Sequence, residues 1–143
     1  MIGIGNDHNG YEVKQELTKY IKELGYDVID YGCNDTIGDY PTYAFKVSDA
    51  VSKKEIDLGI LICKTGTGMS IAANKVKHVR CAKVENKEEA FLARSHNNAN
   101  VLAISALLPI KLIKEIVKTF IETPFSNEER HIRRIEMIEN YDN

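Results

Sequence analysis

Cys63 is the residue whose type and position most directly suggest chemistry, because it ends a short apolar run and precedes a glycine-rich loop. The run at residues 58–63 is typical of a strand buried on both faces, and the loop at residues 65–68 (Thr-Gly-Thr-Gly) separates it from a helical segment. This layout forms an anion site, because backbone N–H groups converge beside a partly positive helix N-terminus. These groups would stabilise a thiolate, which could act as a base or a nucleophile. A cysteine that only fills space in the core is the alternative interpretation.

Two features of the chain could bind an anion. The loop at residues 65–68 is too short for a dinucleotide fingerprint and lacks the Gly-Lys-Ser/Thr of a nucleotide P-loop, but it suits an enolate-like intermediate. A plain tight turn is the alternative. Arg130 and Arg134 lie one turn apart on the last predicted helix, where guanidinium groups could clamp a phosphate or form an ordinary solvated face.

Asp7, His8 and His96 supply further polar groups. Asp7 and His8 follow the first predicted strand, and His96 ends a predicted helix. Asp7 and His8 could merely cap a helix, and His96 could be a surface residue that favours the helix C-terminus. We expect all three to lie at the same edge of the sheet as Cys63, and this convergence favours a functional site.

The elements that must position these residues alternate along the chain. We predict strands at residues 2–5, 28–31, 58–63, 79–84 and 101–104, and helices at 11–24, after 41, at 69–75, at 87–96, after 109 and from 127. Five alternations of strand and helix predict an α/β domain over residues 1–143, with a parallel sheet and right-handed crossovers. The switch point of such a sheet, between strands one and three, would bring Asp7 and His8 beside Cys63.

Composition narrows the classes of function. Hydrophobic residues make up 43 % of the chain and charged residues 28 %, with a formal net charge of −2 and no basic block, so we expect neither a nucleic-acid nor a membrane-surface partner. We see no signal peptide and no membrane span. The three cysteines have no metal-type spacing and are interpreted as reduced thiols of a cytoplasmic protein.

Five motifs in register closely resemble the ribose-5-phosphate isomerase B family, which also includes galactose-6-phosphate isomerase subunits. They lie at residues 7–11, 39–41, 62–75 and 96–102, and at Arg130, His131 and Arg134. The resemblance covers nearly the whole chain. It implies a three-layer, Rossmann-like α/β/α domain with five parallel strands in the order 2-1-3-5-4. It also implies a homodimer or tetramer whose sites draw on both subunits, with the C-terminal helix packed on the partner.

The resemblance implies an aldose–ketose isomerase of a sugar phosphate that uses neither a metal nor an organic cofactor. A cysteine at the position of Cys63 takes the proton from C2 of the open-chain sugar and returns it at C1, through an enediolate held by the glycine loop. Some relatives use a glutamate at the position of Met69, so this chain follows the cysteine version. The implied catalytic residues are Cys63, Thr65 (orienting the thiol), His96 (opening the furanose ring) and Asp7 (assisting His96). The implied substrate-binding residues are Tyr40, Asn97, Gly66, Thr67, Gly68, Met69 and Ser70, with His8, Arg130 and Arg134 on the phosphate.

Two positions depart from the family pattern. Lys64 stands where glycine usually follows the cysteine, and it would cost about 1 kcal/mol if that position requires a positive φ. Leu107 stands where many relatives have a phosphate-binding arginine. These departures leave alternatives to ribose 5-phosphate isomerisation. They are an isomerase of allose or galactose 6-phosphate, a catalytically silent sugar-phosphate-binding subunit, and, on fold analogy alone, a flavodoxin-like nucleotide or flavin binder.

Overall fold

The computed structural model describes residues 1–34 and 38–141. The sequence also predicts a loop at residues 32–41 from its Gly, Asn and Asp content, and part of this loop lies outside the described residues. The structure contains a five-stranded sheet in which every neighbouring pair is parallel. The strands are β1 (Ile2–Asn6), β2 (Val28–Asp30), β3 (Leu58–Cys63), β4 (Cys81–Lys83) and β5 (Val101–Ser105), in the order β2-β1-β3-β5-β4. The predicted parallel sheet and its strand order are confirmed.

The described residues form six α-helices. They are α1 (Tyr11–Glu23), α2 (Tyr40–Ser52), α3 (Thr67–Ala73), α4 (Lys87–Asn97), α5 (Ile110–Glu122) and α6 (Glu129–Glu139). Five of them cover the two faces of the sheet, while α6 packs against the end of α4. The first core contains side chains of α1, α4 and α5, such as Leu17, Ala93 and Phe120. The second core contains Val47 of α2 and Met69 of α3. The predicted three-layer arrangement is therefore confirmed. No helix within the described residues is long and apolar enough to cross a bilayer.

The central strand β3 directs Cys63 toward α3. All six residues of β3 are buried, as expected for a strand with helices on both faces. Ile60 and Ile62 belong to the first core, whereas Leu61 and Cys63 belong to the second. This alternation follows from the two-residue period of a strand. It places the thiol on the face of the sheet that α2 and α3 cover.

Several element boundaries differ from the prediction, and two of the differences have clear local causes. α3 begins at Thr67, two residues before the predicted start, because Gly66 adopts the left-handed conformation (φ 83°) and caps the helix directly. β4 covers residues 81–83 only, since the Arg80 N–H donates to the Asn100 side chain at 2.8 Å rather than to a strand carbonyl. The φ of Gly66 therefore sets the start of α3, and the hydrogen bond from Arg80 to Asn100 sets the start of β4.

The direction of each helix decides which edge of the sheet its residues reach. We call the edge where the strands end the carboxyl edge, and the edge where they begin the amino edge. A helix between two parallel strands ends at the amino edge, where the next strand starts. The loop after α4 lies there, because the Gly59 N–H donates to the Asn100 carbonyl at 2.9 Å. The segment before α6 adjoins the end of α4, where the Ser126 N–H donates to the Ser95 carbonyl at 2.9 Å.

Candidate active site

Cys63 is the centre of a cluster at the carboxyl edge. It is the last residue of β3 and is 5 % exposed, and its Sγ accepts a hydrogen bond from the Gly66 N–H at 3.1 Å. Gly66 can turn back toward the sulfur because its φ of +83° is open to glycine. A Cβ at this position would also lie 3.1 Å from the carbonyl carbon of Ile104. The glycine therefore allows both the close approach to β5 and the N–H···S contact.

The loop after Cys63 presents backbone donors beside the thiol. The Thr67 N–H donates to Thr65 Oγ1 at 3.3 Å, while the next N–H groups of the first turn of α3 have no partner within the helix. The ring of Tyr40 covers this turn, since a Cβ at Gly68 would lie 2.6 Å from it. Gly66, Thr67, Gly68 and Tyr40 are thus brought together. The contact observed at the sulfur comes from Gly66, and the orienting role of Thr65 stays a prediction.

Two loop residues use their side chains elsewhere. Met69 is fully buried in the second core, so only its backbone can serve the loop. The Ser70 hydroxyl hydrogen-bonds to the thiol of Cys81, whose pKa burial raises to about 12 although this hydrogen bond opposes the shift. Sequence alone could not separate backbone from side-chain roles in this loop. Cys81 is a neutral thiol at ordinary pH and is not a candidate base.

Asp7 and His8 also lie at the carboxyl edge, as predicted from the switch point. The Asp7 N–H donates to the carbonyl of Ile62, the neighbour of Cys63, at 3.1 Å. The Asp7 carboxylate is buried and accepts hydrogen bonds from the Asn9 and Gly10 N–H groups at 2.9 and 3.2 Å. It therefore caps the 3₁₀ turn at residues 8–10 that leads into α1, whereas the alternative interpretation had it cap the first helix itself. His8 is exposed and lines a cleft with Asn34 and Ala106.

A second cluster lies at the amino edge, where α4 ends against α6. His96 is in the last turn of α4, and Asn97 is its exposed final residue. The imidazole of His96 stacks on that of His131, with ring centroids 4.3 Å apart and planes 30° apart. Arg130 and Arg134 are exposed on α6, and an Arg130 guanidinium nitrogen lies 3.5 Å from the Glu128 carboxylate.

His131 is the residue of this cluster to which sequence reasoning gave no role. It is 4 % exposed, and its burial, together with the nearby His96 and Arg130, lowers its pKa. The sequence does contain a signal for this burial: His131 shares a helical stripe with Ile135 and Ile138, and a histidine on an apolar stripe is usually buried.

The expectation that His96 lies at the same edge as Cys63 within one chain is wrong. Cys63 lies four residues beyond Gly59, whose partner Asn100 marks the amino edge, so the two edges are about 13 Å apart along β3. The physical reason is the direction of α4, which must end where β5 begins. One chain therefore carries two candidate half-sites, with the thiol and the glycine loop on one edge and His96 and the arginines on the other.

The two departures from the family pattern both lie beside the thiol. Lys64 is exposed and is not among the described residues with a positive φ, so the strain considered for it does not arise. The Lys64 carbonyl accepts a hydrogen bond from the Ser105 hydroxyl at 2.6 Å, and the Ser105 hydroxyl oxygen accepts one from the Leu107 N–H at 3.1 Å. Leu107 is 69 % exposed and adds no charge to this edge.

The fold and the site define a parallel α/β protein with a thiol beside an anion-binding loop, and comparison with known proteins identifies its family. A sequence model of the ribose/galactose isomerase family matches residues 2–138, and the chain belongs to that family. It is 44 % identical over 146 residues to a probable ribose-5-phosphate isomerase B of Mycoplasma genitalium, covering 99 % of this chain and 95 % of that protein. It is 37 % identical over 142 residues to ribose-5-phosphate isomerase B of Mycobacterium tuberculosis, covering 97 % and 88 %.

Solved structures agree with this assignment. Ribose-5-phosphate isomerase B of Clostridium thermocellum superposes with a TM-score of 0.93 at 43 % identity, covering 96 % of this chain and 94 % of that one. The Mycoplasma genitalium enzyme, solved with bound ribulose-5-phosphate, also gives a TM-score of 0.93 at 43 % identity, covering 98 % and 94 %.

Proposed function

We propose that this protein interconverts ribose 5-phosphate and ribulose 5-phosphate through an enediolate, with Cys63 as the base. The observation that carries the proposal is the contact between the Cys63 Sγ and the Gly66 N–H, beside the first turn of α3. A thiolate at this point can remove a proton from carbon, and the neighbouring N–H groups can stabilise the resulting oxyanion. Relatives that match over 88 % or more of their length and are named ribose-5-phosphate isomerase B or probable ribose-5-phosphate isomerase B support the same choice.

The reaction divides into two steps. In ring opening, a base removes the O1 proton while an acid protonates the ring oxygen, so the bond from C1 to that oxygen breaks and a C1 carbonyl forms. The Cys63 thiolate then takes the C2 proton, and the electron pair moves onto the C1 carbonyl oxygen to give the enediolate. A proton passes from O2 to O1, the thiol returns its proton to C1, and a C2 carbonyl forms. His96 serves the first step and Cys63 the second.

The site requires two copies of the chain. His96 is at the amino edge and Cys63 at the carboxyl edge, so a two-fold dimer that joins these edges would create two identical complete sites. α6 supports such packing, because Ile132, Met137 and Ile138 are exposed apolar residues on it. A homodimer, or a tetramer of two such dimers, is the assembly that we propose.

The phosphate would be held by charges from both half-sites. Arg130 and Arg134 are exposed on one face of α6 and could make bidentate contacts with phosphate oxygens. His8 lies at the carboxyl edge, where the partner's arginines would meet it. Lys64 is exposed next to the thiol and could supply the charge that Leu107 does not.

The exposed Leu107 is the observation that favours a second candidate, an isomerase of a hexose 6-phosphate such as allose or galactose 6-phosphate. A neutral side chain at this edge leaves room for a longer sugar whose phosphate lies elsewhere. A binding subunit without activity is less consistent with the buried thiol and its N–H donor.

Turnover of ribose 5-phosphate by the purified protein tests the proposal. We expect Cys63→Ala to lower kcat by at least about a hundredfold, because the base is lost. Cys81→Ala is the matched control and should retain turnover, since that thiol stays protonated. Folded wild-type protein that converts only hexose 6-phosphates would favour the second candidate. No turnover of any of these sugars would favour the binding subunit.

We also propose a cytoplasmic location. Cys63 is a free thiol, and a cysteine base needs a compartment that keeps it reduced.

A further inference from the structure

His131 is an unusual residue for its helix. It is the one buried residue of α6, whose other side chains are exposed or partly exposed. Its neighbours on the same stripe, Ile135 and Ile138, are less buried than this imidazole. An apolar residue would fill such a position without needing hydrogen-bond partners. The burial of an imidazole here therefore calls for a reason beyond packing.

The ring of His131 is fixed by polar contacts on one side. Its Nδ1 lies 2.9 Å from the Ser126 hydroxyl and 3.2 Å from a carboxylate oxygen of Glu128. The Ser126 N–H donates to the Ser95 carbonyl at 2.9 Å, and the Glu128 N–H donates to the Ser126 hydroxyl at 3.2 Å. These bonds join the imidazole to the end of α4 as well as to its own helix.

The free face of His131 meets His96. With ring centroids 4.3 Å apart and planes 30° apart, the two imidazoles are stacked, so the orientation of one restricts that of the other. His96 is partly exposed in the last turn of α4, and the preceding Ser95 carbonyl is the group that holds the Ser126 segment. The His96 ring is thus supported on one side and open to a ligand on the other.

The surroundings of His131 also affect the charge of its imidazole. Burial, followed by the nearby His96, Arg130 and Arg134, lowers the pKa of His131, and Glu128 offsets this only in part. Two stacked imidazoles do not readily carry a proton each. The lowered pKa favours the neutral form of the His131 imidazole.

We propose that His131, held by Ser126 and Glu128, is a positioning residue that fixes the His96 imidazole in the orientation needed to open the furanose ring. This rests on the proposed function. Since His131 is buried and its Nδ1 is engaged, it acts on the sugar through His96 and not by direct contact. The role belongs to the ring-opening step alone, because Cys63 lies on the other half-site.

The test separates ring opening from proton transfer. Ribulose 5-phosphate has no furanose form, since its C5 oxygen carries the phosphate, so exchange of its C1 hydrogen with deuterium from solvent needs the base but no ring opening. In the intact dimer, we expect His131→Phe to lower kcat for ribose 5-phosphate about tenfold or more, because His96 is misplaced. Deuterium exchange into ribulose 5-phosphate, followed by NMR, should change less than about twofold.

His78→Gln is the matched control, because it removes another imidazole that contacts α6, through Glu139 at 2.8 Å. It should leave both rates unchanged. Ser126→Ala provides a milder change if His131→Phe does not form a folded dimer, and we expect a smaller loss confined to aldose turnover. Equal loss of both rates in these variants, or no loss of either, would overturn the positioning role. A wild-type protein that shows neither turnover nor exchange would refute the proposed function itself, and the positioning role with it.

Discussion

Mixing two inactive variants tests whether the two half-sites meet across subunits. Cys63→Ala removes the proposed base from the carboxyl edge. His96→Phe removes the proposed ring-opening group from the amino edge while keeping an aromatic ring against His131. Each variant alone should lose turnover of ribose 5-phosphate by about 10²–10⁴-fold. After subunit exchange in an equal mixture, half of the dimers are mixed. Each mixed dimer has one site with both changes and one site with neither.

The mixture should therefore regain about a quarter of wild-type activity, because one site in four is intact. The assay is the rate of ribulose 5-phosphate formation before and after the two variants are unfolded together and refolded. A chain carrying both changes, mixed with wild type, is the control. Its mixed dimers have no intact site, so activity should fall to about half of the unmixed sum. No recovery in the first mixture, from variants that dimerise normally, would mean that each site is built from one chain.

Two further predictions concern the framework of the half-sites. Gly66→Ala should lower stability by at least about 1 kcal/mol in urea unfolding and also reduce turnover, because its φ is +83° and the new Cβ would meet the Ile104 backbone. Gly25→Ala, at φ +99° with open space around it, should also lower stability in urea unfolding but should keep its turnover. Equal turnover in the two variants would contradict the reasoning. Burial acts to raise the pKa of Glu139, but the hydrogen bond from His78 and the charge of Arg80 outweigh it and lower the pKa. The contribution of Glu139 to the free energy of unfolding is therefore fully present above pH 4.5, the ordinary pKa of a glutamate carboxyl. It is lost as the pH falls through the lowered pKa of Glu139. The Tm difference between wild type and Glu139→Gln should shrink between pH 6 and pH 3, and a difference that grows on acidification would contradict this.

The sequence predicted the sheet well because its strands are distinct in composition. β3 was predicted with its observed bounds, since a run of buried apolar residues lies between Asp57 and Lys64. The start of α3 was missed because the φ of Gly66, which caps the helix, is not visible in the residue type. The sheet edge at which His96 lies was predicted wrongly, although the predicted topology is sufficient to determine it. A helix that leads into a parallel strand must end at the amino edge.

The contacts of His131 could not be predicted from the sequence, since they depend on how α6 packs against the end of α4. Pattern analysis identifies the buried stripe of a helix but not the side chain that it meets. The same limit explains Ser70 and Met69, which the glycine loop motif suggested as substrate-binding residues. Their side chains are directed to Cys81 and to the second core, so their position in the motif reflects backbone geometry.

In the proposed mechanism, the two half-sites assign each chemical step to a different part of the fold. Proton transfer at carbon needs a fixed base beside fixed donors, and the end of a buried central strand next to a helix start supplies both. Ring opening needs a group that exchanges protons readily, and the partly exposed end of α4 suits an imidazole for that purpose. A parallel α/β domain places these two environments at opposite edges of its sheet. Two-fold association is therefore the simplest way in which one chain of this fold can bring both steps to one sugar.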